Sequence, residues 1–288
     1  MRNYSFTIFT PCYNGARTIK RVFDSVFSQT YENYQWIIIN DGSSDDSDTV
    51  IRSYIKQYNK IADKILYLSQ ENLGKHKSWN RALEYATGDF FLPADCDDSF
   101  IPTTLQFFNE KANEIAGDSF ISSVYSGINV CCYDPQTDNI IGVPYPYDNL
   151  VSNNIELNYK YHIKGEHWGC IRSDLLKKLP FPAINGHFYN ENYLWYSLAK
   201  KYSVVCYNKS LRAYYFESNS LVHNEQYFYD EDRAKMWLNF RIWQLRNVGY
   251  LIFRYSKIGG LKMLYETVKS VVKISYLKFY YIFHKNYK

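Results

Sequence analysis

Three carboxylates, Asp95, Asp97 and Asp98, lie within four consecutive positions of the segment FFLPADCDDSF, residues 90–100. Carboxylates this close repel one another unless a cation neutralises them. Their oxygens suit Mg²⁺ or Mn²⁺, and enzymes usually hold Mg²⁺ with one or two carboxylates together with substrate phosphates. The spacing therefore predicts a divalent-cation site, where the metal would neutralise a departing diphosphate.

Other metal- and phosphate-binding motifs fit the chain poorly. An EF-hand over residues 41–52 fails, because the sixth loop position is Asp46 rather than Gly and the twelfth is Arg52 rather than Glu. Asp45 and Ser47 also suit helix capping, and that alternative stays open. The chain contains no GxxxxGK[ST] segment and no GxGxxG after its first apolar run. This argues against a P-loop NTPase and a dinucleotide dehydrogenase.

The elements that must position the carboxylates follow a strand–helix–strand pattern, which predicts βαβ units and a mostly parallel sheet. The predicted strands and intervening helices are Ser5–Thr10, Thr18–Phe27, Trp36–Asn40, Ser47–Tyr58, Ile65–Leu68, Lys77–Ala86 and Phe90–Leu92. Further strands are predicted at Val124–Cys132, Ile140–Val143, Ser203–Tyr207 and Leu211–Phe216. Ligands of such sheets lie beyond the carboxyl ends of the strands.

Polar residues follow each of the first four predicted strands. The four loops are residues 10–15, 40–45, 71–76 and 95–98. Gly, Asn, Asp and Pro are common loop residues, so any one of these loops can be an ordinary turn. Four at one edge of a sheet, one of them with three carboxylates, favour a binding site.

Four segments resemble the family-2 inverting glycosyltransferases of GT-A fold: FTPCYNGARTIKRVFDSVFSQTY, IIINDGSSDDS, ENLGKHKSWNRALEYATGDFFLPADCDDS and NENYLWYSLAKK. They occur in the family's order, and the resemblance covers roughly residues 5 to 220. The resemblance implies an α/β protein with the GT-A nucleotide-diphospho-sugar transferase fold. Such a fold has a mostly parallel Rossmann-like central sheet flanked by helices, here followed by a C-terminal helical tail.

The resemblance also implies roles for individual residues. The first two loops would bind the nucleoside through Pro11, Tyr13, Asn14 and Asp41. The third loop and the helix after it would line the nucleotide and diphosphate with Asn72, Gly74, Lys75 and Asn80. Asp95 would face the ribose or donor sugar, while Asp97, with Asp95, would hold Mn²⁺ or Mg²⁺. His223 is a candidate third metal ligand, and a structural or exposed histidine is the alternative.

The expected catalytic base is Glu191. The family has Glu-Asp a few residues before Leu-Trp, and that Asp deprotonates the acceptor hydroxyl. Alignment on Leu194 and Trp195 places Glu191 at the Asp position and Asn190 at the Glu position. Either carboxylate can act as a general base. The alternative is a helix-start glutamate favoured by the helix dipole.

The net charge of +4 conceals a basic C-terminal region, since residues 233–288 hold 12 Lys and Arg and one acidic residue, Glu266. We predict a glycosyltransferase domain over residues 1–225 and a basic amphipathic helical tail over residues 226–288. Lysines on one stripe of the tail and apolar residues on the other suit an anionic membrane surface. Packing on the catalytic domain or on another subunit is the alternative.

These features predict a metal-dependent inverting glycosyltransferase of the hexosyl- or N-acetylhexosaminyl-transferase class. The expected donor is a nucleoside-diphosphate sugar, with UDP as the expected carrier, and the acceptor is a glycan or lipid-linked hydroxyl in surface polysaccharide biosynthesis. We expect a cytoplasmic protein, peripheral on the inner face of the membrane, with no nucleic-acid partner. The alternatives are an inactive nucleotide-sugar- or glycan-binding module and a nucleotidyltransferase of similar sheet topology.

Overall fold

The structure is a computed structural model that describes residues 1–182, 190–215 and 231–284, with side chains described as far as residue 277. The strands are β1 (Phe6–Cys12), β2 (Tyr34–Asp41), β3 (Ile65–Gln70), β4 (Phe90–Pro93), β5 (Ser99–Phe100), β6 (Tyr125–Tyr133), β7 (Leu150–Ser152), β8 (His167–Arg172) and β9 (Ser203–Ala213). The helices are α1 (Lys20–Phe27), α2 (Ser47–Gln57), α3 (Lys75–Tyr85), α4 (Thr104–Gly117), α5 (Ser119–Val124), α6 (Asn154–Tyr159), α7 (Ser173–Leu176), α8 (Asn192–Ala199), α9 (Glu231–Tyr255) and α10 (Lys257–His284). A 3₁₀ turn spans Asn59–Lys64.

The strands form one sheet in the order β3-β2-β1-β4-β8-β6-β9-β5, with β7 paired to β9. The first four strands of this order run parallel, which confirms the prediction for the half of the sheet that carries the polar loops. In register, Cys12 lies beside Asn40, and Asp41 beside Gln70. The carboxyl ends of β1, β2 and β3 therefore lie at the same edge.

Helices cover both faces of the parallel strands, because successive side chains of a strand point to opposite faces. On one face, Phe23 of α1 packs edge-on against Trp36 of β2, with ring centroids 4.5 Å apart. On the other face, Trp79 of α3 packs against Phe91 of β4 at 4.9 Å. Each fully buried aromatic side chain contributes about 1.5–3 kcal/mol through the apolar area removed from water. This packing fixes where each strand ends and each loop begins.

The second half of the sheet is mixed. β8 runs antiparallel to β4 and β6, whereas β6 runs parallel to β9. The predicted strand Ile140–Val143 is wrong: Ile140 makes a single bridge to Tyr133, and the segment forms no named strand. The two strands predicted between Ser203 and Phe216 are one continuous strand, β9, as far as the described residues reach. Register shifts between β6 and β9 let this long strand bend without breaking.

The chain divides into two compact units. The first contains the whole sheet, and the second comprises residues 154–162, 188–200 and 216–288. Within the second unit, α9 and α10 pack on each other and share a core with α6 and α8 that includes Ile155, Tyr196 and Phe240. The helical C-terminal region is therefore confirmed, whereas the boundary at residue 225 falls outside the described residues and stays a prediction. In the described part of the chain, every helix is too short or too polar to cross a membrane.

Candidate active site

The four loops at the carboxyl ends of β1, β2, β3 and β4 contact one another in a closed ring. The residue pairs that join them are Asn14 with Ser44, Gly15 with Cys96, Asp41 with Gly74, and Lys75 with Asp95. The approach at Gly15 is so close that a Cβ there would lie 2.8 Å from Cys96 Sγ. The fold thus brings together loops that are far apart in sequence, as the parallel sheet predicts.

Asn14 joins the first loop to the second. Its side-chain oxygen accepts a hydrogen bond of 2.8 Å from the backbone N–H of Ser44, and its own N–H donates to Ser43 Oγ at 2.9 Å. Its backbone is left-handed, with φ of 53°, a conformation that Asn tolerates better than most residues. The structure therefore gives Asn14 a role in shaping the loop, in addition to the nucleoside contact predicted from sequence.

Asp41 joins the second loop to the third. Its Oδ1 accepts hydrogen bonds from the Gln70 amide at 2.7 Å and the Leu73 N–H at 3.0 Å. Its Oδ2 accepts from the Gly74 N–H at 2.8 Å. The residue is buried, so these charge-assisted bonds fix the segment that begins α3. Asp41 thereby sets the position of Gly74 and Lys75, two of the other predicted site residues.

Lys75 joins the third loop to the fourth through an ion pair with Asp95. The distance from Lys75 Nζ to Asp95 Oδ2 is 3.0 Å. Burial alone would raise the pKa of Asp95, but the charges of Lys75 and Arg212 outweigh it and lower that pKa. Asp95 is therefore a carboxylate at neutral pH. Its other oxygen, Oδ1, is buried and has no hydrogen-bond partner among the described residues.

Residues 95–98 form the carboxylate turn, and side chains from β9 and α1 hydrogen-bond to its remaining residues. The Asp98 carboxylate accepts from Arg212 of β9 at 2.7 Å and from the backbone N–H of Asp95 at 3.0 Å. Arg21 of α1 donates to the backbone carbonyl of Asp97 at 3.3 Å. Burial and the neighbouring charge of Asp95 raise the pKa of Asp97. A divalent cation at this turn would lower the pKa of Asp97 by favouring its charged form.

The donor set fits a hard cation that also binds phosphate oxygens. The orphaned Asp95 Oδ1 and the Asp97 carboxylate supply the one or two carboxylates that Mg²⁺ or Mn²⁺ commonly takes from an enzyme. Among the described residues, no three His, Cys, Asp or Glu side chains form a preformed metal cluster. The third predicted ligand, His223, lies outside the described residues, so its role stays a prediction.

The other residues predicted to bind the nucleotide sugar lie in or beside the same loops. Pro11 is part of β1 and pairs in register with Ile39, while the Tyr13 side chain is half exposed beyond the strand. Asn72 is half-buried in the third loop. Asn80 lies in α3, where its amide exchanges two hydrogen bonds with the backbone of Phe181, at 2.7 and 2.8 Å. These bonds tie α3 to the chain after α7.

Glu191 belongs to the second compact unit and is described within it. It is exposed and precedes α8, and its carbonyl accepts the N–H groups of Leu194 and Trp195. Asn190 is buried, and its side-chain oxygen accepts the N–H of Asn192 at 3.0 Å. Asn190 therefore satisfies one backbone N–H group at the start of the helix. The predicted role of Glu191 as the base stays a prediction.

The chain matches the model of Glycosyl transferase family 2 over residues 7–179. It belongs to this family. The matched region contains all four loops of the ring and ends before Glu191. Family membership therefore rests on the donor side of the predicted site.

Two relatives extend the family-2 match beyond the ring of loops. Glycosyltransferase GlyA of Streptococcus pneumoniae serotype 4 is 27% identical over 262 residues, 88% of this chain but only 36% of that protein. The chain thus spans about a third of the length of this relative. The putative teichuronic acid biosynthesis glycosyltransferase TuaG of Bacillus subtilis is 26% identical over 242 residues, 82% of this chain and 86% of that protein.

Solved structures confirm the GT-A fold of this family-2 chain. Mannosyltransferase PcManGT of Pyrobaculum calidifontis, in complex with GDP-Man and Mn²⁺, superposes with a TM-score of 0.63 at 17% identity, covering 98% of this chain and 76% of that one. TarS of S. aureus, residues 1–349 in complex with UDP-GlcNAc, gives 0.60 at 18% identity, covering 92% of this chain and 72% of that one. Identities this low support the fold alone.

Sequence reasoning missed the residues of this family-2 chain that support the carboxylate turn. Arg212 lies in β9 and Arg21 in α1, far from the turn in sequence, and neither is among the site residues that the resemblance implies. The one available signal is the position of Arg212 between the apolar residues Leu211 and Ala213 of β9, since a buried arginine requires an acidic partner. Trp168 of β8 is a core residue packed on Phe100 and Phe108.

Proposed function

We propose that this protein is a metal-dependent inverting glycosyltransferase that moves a sugar from a nucleoside-diphosphate sugar to a hydroxyl group. The observation that carries the proposal is the closed ring of four loops in a family-2 chain. In this ring Lys75 pairs with Asp95, and a buried Asp95 oxygen has no hydrogen-bond partner in the part of the chain that the structure describes. Buried polar atoms normally have partners, so an orphaned carboxylate oxygen favours a cationic ligand.

Each residue of the ring has a proposed task. Asp41, Tyr13, Asn14 and Pro11 hold the nucleoside, and Asn72, Gly74, Lys75 and Asn80 line the nucleotide and diphosphate. The N-terminus of α3, which begins at Lys75, adds the partial positive charge that phosphate oxygens prefer. Asp97 and Asp95, with His223, would hold Mn²⁺ or Mg²⁺, which supplies charge neutralisation for the leaving diphosphate.

Glu191 is the proposed base. Its carboxylate accepts the proton of the acceptor hydroxyl as that oxygen forms a bond to the anomeric carbon of the donor sugar. The bond from the anomeric carbon to the diphosphate breaks on the opposite side, so the configuration inverts. Lys75 supplies a fixed positive charge near the diphosphate as its charge develops.

The substrate class is the finer part of the proposal. We propose a UDP-sugar donor of the hexosyl or N-acetylhexosaminyl class, supported by the UDP-GlcNAc complex of TarS. The GDP-Man complex of PcManGT makes a GDP-sugar the second candidate donor. The name of TuaG refers to teichuronic acid biosynthesis. It supports a glycan or lipid-linked acceptor in surface polysaccharide biosynthesis.

Two measurements test the donor side. In a thermal-shift panel of UDP- and GDP-sugars with and without Mn²⁺, we expect at least one sugar nucleotide to raise the melting temperature only when the metal is present. Slow release of UDP or GDP from that compound, without acceptor, would separate an enzyme from an inactive binding module. Release of pyrophosphate from a nucleoside triphosphate and a sugar phosphate would instead favour the nucleotidyltransferase alternative.

The tail carries a separate part of the proposal, contact with an anionic membrane. Inner residues of α10, such as Met263, pack within the second unit, but a second apolar stripe stays exposed. Its members recur at three- and four-residue spacing and are Ile258, Leu261, Leu264, Tyr265, Val268, Val271, Val272 and Tyr276. The apolar residues of α10 therefore lie on two faces of the helix, one packed within the second unit and one exposed, rather than on the single face predicted from sequence.

Basic residues flank the exposed stripe. Lys262 and Lys269 are exposed beside it, and Lys273 follows one turn later. Burial, with the nearby charges of Arg233 and Lys269, lowers the pKa of Lys273. An apolar stripe edged by such charge fits anionic lipid. We propose that the tail holds a cytoplasmic enzyme peripherally on the inner face of the membrane, where a lipid-linked acceptor would lie.

Vesicle sedimentation tests the tail. We expect the protein to bind vesicles of phosphatidylcholine with phosphatidylglycerol and not vesicles of phosphatidylcholine alone, because each basic residue near an anionic surface contributes about 1 kcal/mol. Val268→Glu and Lys269→Glu should each weaken binding, whereas Lys20→Glu, at an exposed lysine of α1, should not. Equal sedimentation of all four proteins, or concentration-dependent self-association lost in Val268→Glu, would favour a subunit contact instead.

A further inference from the structure

Arg212 is buried beneath the carboxylate turn and does not itself belong to the predicted site. Its strand, β9, is held on both sides, because Arg212 pairs with Phe100 of β5 and with Cys132 of β6. Two flanking strands leave its backbone little freedom. The guanidinium is therefore a positive charge fixed by the central sheet, 2.7 Å from the Asp98 carboxylate.

Asp98 connects Arg212 to the backbone of the carboxylate turn. One oxygen accepts from Arg212, and the other accepts the backbone N–H of Asp95 at 3.0 Å. The backbone N–H of Asp98 donates in turn to the carbonyl of Asp95, also at 3.0 Å. Both oxygens of Asp98 are thus directed into the protein, and its side chain is 5% exposed. This arrangement suits a support of the turn rather than a direct ligand of a metal.

We propose that Arg212, acting through Asp98, is the positioning residue that holds the Asp95 and Asp97 carboxylates in place for a divalent cation bound to a nucleoside diphosphate. The inference rests on the proposed function, since it specifies how the same turn is organised. Removing either partner leaves the other as a buried, uncompensated charge. The turn would then shift or take up water, and the carboxylates would lose their fixed separation. The nucleoside contacts of Asp41 lie in other loops and would stay intact.

The test compares UDP with uridine, with and without Mn²⁺, by calorimetric titration of Arg212→Gln, Arg212→Lys and Asp98→Asn. Loss of a group that orients metal ligands typically costs about 10–100-fold in metal affinity. We expect the Mn²⁺-dependent gain in UDP affinity to fall by about that factor in Arg212→Gln and Asp98→Asn, with uridine affinity unchanged. Arg212→Lys keeps the positive charge but loses the planar guanidinium, so its Mn²⁺-dependent gain in UDP affinity should lie between those of the wild type and Arg212→Gln.

Two further variants separate positioning from plain stability. The double variant Asp98→Asn with Arg212→Gln restores a neutral buried pair, and we expect it to recover part of the metal dependence. The control is Tyr31→Phe, which removes a buried hydrogen bond to the Tyr4 carbonyl at the opposite end of β1. It should lower the melting temperature without changing the effect of Mn²⁺.

Wild-type metal dependence in Arg212→Gln, measured well below its melting temperature, would overturn the inference. So would a parallel loss of uridine affinity. If Arg212→Gln does not fold, the same comparison is made with Arg212→Lys. A wild-type protein that binds neither UDP nor GDP more tightly with Mn²⁺ would overturn the proposed function, and the inference with it.

Discussion

Asp41 Oδ2 accepts a hydrogen bond of 2.8 Å from the backbone N–H of Gly74, which joins the end of β2 to the start of α3. Gly74 has φ of 93°, a backbone conformation that L side chains avoid. The glycine lets the chain turn sharply into α3, and the carboxylate holds that turn. One buried acid therefore orients both the second loop, which we propose to bind the nucleoside, and the helix whose N-terminus would meet phosphate.

Replacement of Asp41 tests the nucleoside side of the site. Asp41→Ala should weaken binding of both UDP and free uridine, because it removes the predicted nucleoside contact and releases the Leu73 and Gly74 N–H groups. A hydrogen bond to a charged group contributes about 1.5–3 kcal/mol, so loss of the predicted nucleoside contact should weaken binding of either ligand at least tenfold. Calorimetric titration measures both.

The outcome for uridine is decisive for the placement of the loops. If Asp41→Ala binds uridine normally and loses only the diphosphate contribution, the second loop does not contact the nucleoside. Gln35→Ala serves as a control, since Gln35 lies in β2 at the opposite end and bonds to Thr7 and Thr87.

Asp97 tests the metal side. Asp97→Ala should abolish sugar transfer and the metal-dependent part of UDP binding, because the cation would lose a hard oxygen ligand. Uridine binding should stay normal, in contrast to Asp41→Ala. Titration of UDP with and without Mn²⁺ makes the comparison, and a mutant that keeps its metal dependence would contradict the assignment.

Asn14 tests how firmly the first two loops are joined. Asn14→Ala loses the bond from Ser44 and places Ala in a left-handed backbone, whereas Asn14→Gly loses the same bond but accepts the backbone. We expect Asn14→Ala to lower the free energy of unfolding by about 1–2 kcal/mol more than Asn14→Gly. Urea denaturation measures this difference. Equal stability of the two variants would mean that the loop relaxes out of its left-handed turn.

The parallel half of the sheet was predictable because β1, β2 and β4 are buried, largely apolar runs and each strand of this half ends in a polar loop. The strand at Ile140–Val143 was predicted wrongly, because apolar residues at the surface can satisfy the pattern of a short strand while pairing at only a single bridge. The predicted order of strands and helices was enough to place the four loops at one edge of the sheet, but it did not predict the hydrogen bonds and ion pairs that join them. Lys75 and Asp95 are 20 residues apart, and Arg212 and Asp98 are 114 apart, so no local pattern links them. Such pairs become visible only when the sheet sets their distance.

Glu191 provides the test of chemistry as distinct from binding. Glu191→Gln keeps the shape of the side chain but removes the carboxylate that would accept the acceptor proton. A general base contributes about 10²–10⁴-fold to rate, so turnover should fall by about that factor. Donor affinity should stay within about threefold, because the lost interaction belongs to the transition state. Glu191→Asp should recover part of the rate, since the resemblance implies an Asp at this position.

Steady-state kinetics with the donor identified by thermal shift, together with titration of that donor, measure both quantities. The control is Glu110→Gln, an exposed glutamate of α4, which should leave turnover unchanged. Near-normal turnover of Glu191→Gln, or a defect confined to donor binding, would make Glu191 a helix-start residue. The base would then be sought at Glu166 or His167. His167 is the weaker of these, because burial lowers its pKa and its ring nitrogen already lies 3.1 Å from the Val143 carbonyl.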